Sequence, residues 1–146
     1  MLGRIAAAFG EALATGDGDS VVRLFPTATR IATLAAGDIV ALGVTRARAR
    51  ALIGLAAAVD SRRIRLESES EVEATVDELT ALPGIGTWTA NYIAMRALRW
   101  PDSFLANDLV VLKALGETRP SRARLVSESW RPWRSYAVMH LWRNAK

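Results

Sequence analysis

The sequence predicts an all-α protein. Apolar residues recur at helical spacing through most of the chain, and Pro and Gly interrupt them where helices must stop. No convincing strand, internal repeat or low-complexity tract breaks the pattern. With 146 residues, 51% of them apolar, the chain suits one domain with a sizeable core.

Leu2, Ile5, Phe9 and Leu13 mark one face of an amphipathic helix, which Thr15-Gly16-Asp17-Gly18-Asp19 breaks. Asp17 and Asp19 begin like a calcium loop, but the later ligands and the closing Glu are missing, so a solvated loop is expected. Thr27, after Phe25-Pro26, is placed to cap a short helix to about residue 34. Gly37-Asp38 starts another short turn, and Thr45 opens a longer helix to about residue 59. Arg46, Arg48 and Arg50 at its start are expected in solvent.

After a connector over 61–68, Ser70-x-x-Glu73 has capping-box spacing and opens a helix marked by Val72, Val76, Leu79 and Leu82. Its acidic side carries Glu71, Glu73, Asp77 and Glu78. Pro83, Gly84 and Gly86 force a tight joint, and a second helical pattern runs over 88–98. Asn107 or Asp108 caps a helix over 109–115 that Gly116 ends. Ser121 or Ser127 caps a short helix before Trp130, and Pro132 opens the last helix, which ends near residue 144. Trp130, Trp133 and Tyr136 are expected in the core. Arg131 and Arg134 are expected at the surface or on phosphates, and His140, the single His, packed or hydrogen-bonded.

The net charge is +4 with a pI near 10.3, unevenly spread. Residues 60–95 hold 3 basic and 7 acidic side chains, whereas residues 96–146 hold 10 basic and 4 acidic. The second half is therefore the candidate polyanion face, or a solvated basic surface. The absence of Cys excludes disulfides, thiol nucleophiles and cysteine-ligated iron–sulfur clusters. No apolar run reaches about 18 residues, so no membrane span is expected. Residues 1–13, with Arg4 and Glu11, do not read as a signal peptide, and the cytoplasm is the expected location.

Three groups of residues bear on chemistry. Gly84 and Gly86 leave backbone N–H groups bare at a helix start, a setting that attracts an anion such as a DNA phosphate. The alternative is a plain helix–Gly turn–helix with no ligand. Asp108 stands at a helix start, either as an ordinary cap or as a working carboxylate. Trp88 and Tyr92, four apart, share a helix face and belong either to the core or to a pocket.

Leu82-Pro83-Gly84-Ile85-Gly86-Thr87-Trp88-Thr89-Ala90-Asn91-Tyr92 resembles the helix-hairpin-helix of DNA glycosylases, most of all the 3-methyladenine DNA glycosylase II family. The likeness continues through Phe104-Leu105-Ala106-Asn107-Asp108-Leu109 and Trp130-Arg131-Pro132-Trp133-Arg134-Ser135-Tyr136-Ala137, and extends weakly back to residue 2. It implies that residues 1–146 form a single helix-hairpin-helix glycosylase domain, with the hairpin at 71–98. It further implies a monofunctional DNA repair enzyme of the nucleoid that flips alkylated purines of the 3-methyladenine or 7-methylguanine type out of double-stranded DNA and releases them by hydrolysis.

The implied catalytic residue is Asp108, whose charge stabilises the positive sugar and can orient or deprotonate a water. The implied base pocket is Trp88, Tyr92 and Trp142, an aromatic cage suited to cationic purines. The implied DNA contacts are Pro83, Gly84, Ile85, Gly86 and Thr87. No cofactor is required, though the carbonyls of Thr80, Leu82 and Ile85 match positions that hold a sodium or potassium ion. Bifunctional relatives carry a Lys where this chain has Trp88, and its lysines are Lys113 and Lys146 alone.

The family domain begins earlier, with helices that carry a Gln-rich turn and an apolar wedge. From this resemblance the chain is expected to lack those helices. Weaker flipping and either lower stability or dimerisation through the uncovered face are then expected. The competing readings are a non-catalytic DNA-binding module, an inactive truncated remnant, and a purely structural helical domain.

Overall fold

A computed structural model of the chain describes residues 1–13, 22–67 and 71–145. They divide into two compact units, Met1–Ile64 with Leu82–Gly84, and Arg65–Ala81 with Ile85–Lys146. Among the described residues no helix is long and apolar enough to cross a membrane.

The first unit contains α1 (Leu2–Phe9), β1 (Ala12–Leu13), β2 (Val22–Arg23), α2 (Ala28–Ala32), α3 (Ala36–Val40) and α4 (Arg46–Asp60). The first helix was expected to run to Leu13 and no strand was expected; instead α1 stops at Phe9, and Leu13 pairs with Val22 in a two-residue antiparallel ribbon. Gly10 explains the stop. A Cβ there would lie 2.0 Å from the Leu24 carbonyl oxygen and 2.4 Å from that of Ala6, so only glycine lets the returning chain pass so close. The expected loop at 15–19 lies outside the described residues.

The caps follow the sequence. Thr27 Oγ1 accepts from Arg30 N at 3.2 Å, and Thr45 Oγ1 from Arg48 N at 3.4 Å. Helices α2 and α3 pack on α4, whose buried positions Ala49, Ala51, Ala56 and Ala58 allow close approach. Ile39, Val44 and Ala49 form the core here, walled by Phe9, Leu34 and Leu52. Arg46, Arg48 and Arg50 are exposed, as expected.

The second unit contains α5 (Val72–Thr80), α6 (Thr87–Arg96), α7 (Leu109–Ala114), α8 (Pro120–Ser127), a 3-10 turn (Glu128–Trp130) and α9 (Arg134–Asn144). Helix α5 packs on α6, and α7 on α9. Glu71 is the N-cap of α5, while the expected capping residue Ser70 lies outside the described residues. Glu71, Glu73, Asp77 and Glu78 all face solvent. Ala90, Ala94 and Met95 give α6 its buried face, and Leu98 is buried just beyond its end. Phe104, Leu105, Val111, Leu112 and Val138 complete the core with Met95, and Trp130 and Trp142 pack partly against it.

Three expectations in this unit are corrected. Neither Ser121 nor Ser127 caps α8: Pro120 occupies its first turn, where a missing N–H costs nothing, and Ser127 at its end donates to the Arg124 carbonyl. The last helix begins at Arg134 rather than at Pro132. Trp133 and Tyr136 are 59% and 60% exposed, their rings edge to face at 5.7 Å, so of the three expected core aromatics only Trp130 packs inward. Arg134, Ser135 and Val138 take the buried side of α9 instead.

Gly84 has φ +88, and a Cβ built there would sit 2.8 Å from Ala51 Cβ. Left-handed backbone and overlap both oppose a side chain. Gly84→Ala is expected to lower folding stability by about 2–4 kcal/mol in urea unfolding. Gly86→Ala, at an N-cap with open space around its Cβ position, is expected to cost no more than about 1 kcal/mol.

Candidate active site

Asp108 ends an irregular stretch and is the N-cap of α7. Its Oδ1 accepts from the amides of Val110 and Val111, each at 3.0 Å. The same oxygen accepts from Trp142 Nε1 at 3.0 Å, and Oδ2 accepts from Trp88 Nε1 at 2.9 Å. Asp108 is thus both a capping residue and a carboxylate gripped by two indoles, and Asn107 is not the cap. The residue is 8% exposed. Burial pushes its carboxyl up, but the bonds from Trp142, Val111, Trp88 and Val110 outweigh that and hold it below the usual carboxylate range. The largest contributions to this balance are burial and the four neutral N–H donors.

The two indoles belong to an aromatic wall. Trp88 stacks on Tyr92 at 5.2 Å with planes 7° apart, and Tyr92 meets Trp142 at 6.2 Å and 45°. Trp88 and Tyr92 are 38% and 36% exposed, so they are not core residues, whereas Trp142 rests partly on the core. A flat electron-rich face in this position attracts a cationic ring by about 0.5–2 kcal/mol per good contact. A cleft beside it is lined by Thr87, Trp88, Asn91, Asn107 and Arg124.

The hairpin turn divides between the units: Leu82, Pro83 and Gly84 group with the first, Ile85, Gly86 and Thr87 with the second. Pro83, Gly84, Gly86 and Thr87 are exposed, and Ile85 is buried. Gly86 is the N-cap of α6 and offers no side chain to its first amides. Thr80 groups with the second unit and Leu82 with the first. Outside the helices, no backbone hydrogen bond among the described residues ends on the carbonyls of Thr80, Leu82 or Ile85. Among those residues no cluster of His, Cys, Asp and Glu is fit to hold a metal.

Sequence reasoning missed the residues that hold the chain leading to Asp108. Arg134 was expected at the surface or on a phosphate; it is buried, with Nε on Asp102 Oδ1 at 2.7 Å and Nη2 on Asp102 Oδ2 at 2.9 Å. Arg131 keeps a more exposed place but also pairs, through Nη1 to Asp102 Oδ2 at 2.6 Å and Nε to Glu128 Oε2 at 2.8 Å. Ser135 Oγ donates to the Trp100 carbonyl at 2.7 Å and accepts from Ser103 N at 3.1 Å. Ser103 Oγ donates to the Asn91 carbonyl at 2.8 Å. Residues 100–104 are thereby pinned to α6 and α9. One signal was available, since an isolated Asp102 in a segment rich in Arg invites a partner. His140 is exposed, with Asn144 Nδ2 at 2.9 Å from its Nε2, in keeping with a hydrogen-bonded role.

No family model matches the chain. The chain is similar to DNA-3-methyladenine glycosylase 2 of Escherichia coli, 37% identical over 139 residues, which cover 95% of this chain and 48% of that protein. A probable bifunctional transcriptional activator/DNA repair enzyme AlkA of Mycobacterium tuberculosis is 39% identical over 144 residues, 96% of this chain and 28% of that protein.

The chain is homologous to the helix-hairpin-helix DNA glycosylases of the 3-methyladenine DNA glycosylase II family. It matches their C-terminal part and spans about half the length of the E. coli relative, or less of others. Among solved structures, a 3-methyladenine DNA glycosylase from Archaeoglobus fulgidus superposes with TM-score 0.78 at 22% identity, over 94% of this chain and 48% of that one. An 8-oxoguanine glycosylase/lyase of Clostridium acetobutylicum, in complex with duplex DNA, superposes with TM-score 0.79 at 16% identity, over 96% of this chain and 50% of that one. Such likenesses establish the glycosylase fold.

The depressed carboxyl of Asp108 has a consequence for stability. A group whose folded pKa lies below its unfolded value, about 3.9 for Asp, adds stability that is complete above the unfolded value and lost as pH falls through the folded one. The stability difference between wild type and Asp108→Asn, from urea unfolding, is therefore expected to shrink steadily as pH falls below about 4. Parallel curves across that window would contradict the assignment.

Proposed function

We propose that this chain carries the catalytic carboxylate and base pocket of a monofunctional DNA glycosylase that releases alkylated purines from duplex DNA. The observation that carries this reading is the convergence of Trp88 and Trp142 on Asp108 beside the exposed Trp88–Tyr92 stack. The relatives' names as DNA-3-methyladenine glycosylases support it. Residues 1–146 are read as one glycosylase domain, with Pro83, Gly84, Ile85, Gly86 and Thr87 approaching the phosphate backbone.

The chemistry follows from the site. Breaking an N-glycosidic bond builds positive charge on the sugar, and a fixed anion beside it stabilises that charge. A carboxylate held below its usual range is a weak base, so Asp108 acts mainly as a charge stabiliser that orients the attacking water. Alkylated purines such as 3-methyladenine are cationic, so the aromatic wall holds them more strongly than neutral bases. Damaged pairs also unstack more easily, which adds selectivity. A lyase step needs an amine nucleophile, and Trp88 fills the place where bifunctional relatives carry Lys.

The decisive experiment is base release from methylated duplex DNA. Asp108→Asn should abolish release while leaving DNA binding nearly intact. An Asn oxygen can replace Oδ1 under its three donors, but its NH₂ would then oppose the Trp88 N–H. Unchanged turnover in the variant would remove Asp108 from catalysis.

The monofunctional reading makes a separate prediction. Borohydride should trap no covalent protein–DNA adduct, and strand cleavage should require added alkali or an endonuclease. A trapped adduct would reveal an amine that takes part.

A further inference from the structure

We propose that Trp88 and Trp142 are positioning residues for Asp108, acting through their indole N–H groups in addition to their ring faces. This rests on the functional reading above.

The two carboxylate oxygens are not equivalent. Oδ1 takes three donors, the amides of Val110 and Val111 and the Trp142 indole, all at 3.0 Å. Oδ2 takes one, the Trp88 indole at 2.9 Å. A carboxylate has about four acceptor sites over its two oxygens, so Oδ1 is saturated and Oδ2 keeps capacity. Oδ2 is therefore the oxygen left for the sugar or the water, and its one restraint comes from an exposed ring.

That ring is also the one stacked on Tyr92, where a flipped base would lie. A base seated against Trp88 and the oxygen that works on its sugar are thus held by the same side chain. Losing the Trp142 donor leaves Oδ1 with two amides, whereas losing the Trp88 donor leaves Oδ2 with none. The two indoles are expected to differ in importance accordingly.

Charge does not supply this control. The elements bearing Asp108's partners carry Tyr92 and Arg96 on α6, Lys113 on α7, and Arg134, Tyr136, His140 and Arg143 on α9, while Arg124 of α8 lines the neighbouring cleft. None of them is hydrogen-bonded to Asp108. Arg134 is committed to Asp102 and Arg143 lies against His140. Orientation and charge of the carboxylate therefore depend on neutral N–H donors.

Phe in place of Trp keeps an aromatic face and removes the N–H. The test measures kcat, KM and the pH profile of kcat on methylated duplex DNA for the wild type, Trp88→Phe, Trp142→Phe and Tyr92→Phe. Trp88→Phe is expected to lower kcat about 10- to 100-fold, the weight of one hydrogen bond to a charged group, with little change in KM. The acid limb of its profile should move to higher pH, because a donor that favours the anion is gone. Trp142→Phe should move both in the same direction by less. Tyr92→Phe should leave the acid limb in place. Trp88 lies at the surface, so its variant stays folded even if Phe at 142 disturbs packing.

If the wild type turns over and Trp88→Phe changes KM alone, with the acid limb unmoved, the ring acts only by stacking and this proposal is overturned. A wild-type chain that releases no base overturns the functional reading and this proposal together.

Discussion

The candidate site depends on four N–H groups that converge on one carboxylate. Taking an unpaired carboxylate out of water is costly, and such groups normally neutralise instead. At Asp108 two backbone amides and two indoles supply the hydrogen bonds that water would have made. Each is a fixed dipole, so the charge is held without an ion-pair partner among the described residues. An N-cap is worth about 1 kcal/mol to a helix, which makes the same contact structural and chemical. Capping does not compete with the proposed catalytic role, because the cap uses Oδ1 and leaves Oδ2 under a single donor.

Behind that carboxylate lies a second polar assembly with a different logic. Asp102 and Arg134 form a buried, two-pronged ion pair, with Arg131 and Glu128 extending it toward solvent. Buried pairs contribute little net stability against apolar packing of the same shape, but removing one partner costs about 3–5 kcal/mol. The pair therefore specifies position. Together with Ser103, Ser135 and Asn91 it fixes residues 100–104 between α6 and α9, and so fixes where the next few residues deliver Asp108.

The fold itself says less about the substrate. Structures named for 3-methyladenine and for 8-oxoguanine superpose on this chain about equally well, with TM-scores of 0.78 and 0.79. A shared scaffold leaves the choice of base and of nucleophile to a few side chains. In the proposed function those are Trp88, Tyr92 and Trp142, with an indole where an amine would enable a lyase step.

Helices, most caps and the hairpin joint were legible in the sequence because they are local: a Thr three residues before an amide, or a Pro-Gly-x-Gly break, acts within one turn of chain. Thr27, Thr45, Asp108 and the left-handed Gly84 stand where local chemistry puts them. What tertiary structure alone decided is which face of a helix meets which neighbour. Trp133 and Tyr136 turned outward and Arg134 inward because Asp102, distant in sequence, gave a charged side chain a better partner than an aromatic ring could find. The Gly10 crossing and the ribbon at Ala12–Leu13 needed Leu24 to return within reach. The two indole contacts of Asp108 were illegible for the same reason: Trp88 and Trp142 are 20 and 34 residues away, and only folding brings their N–H groups to its two oxygens.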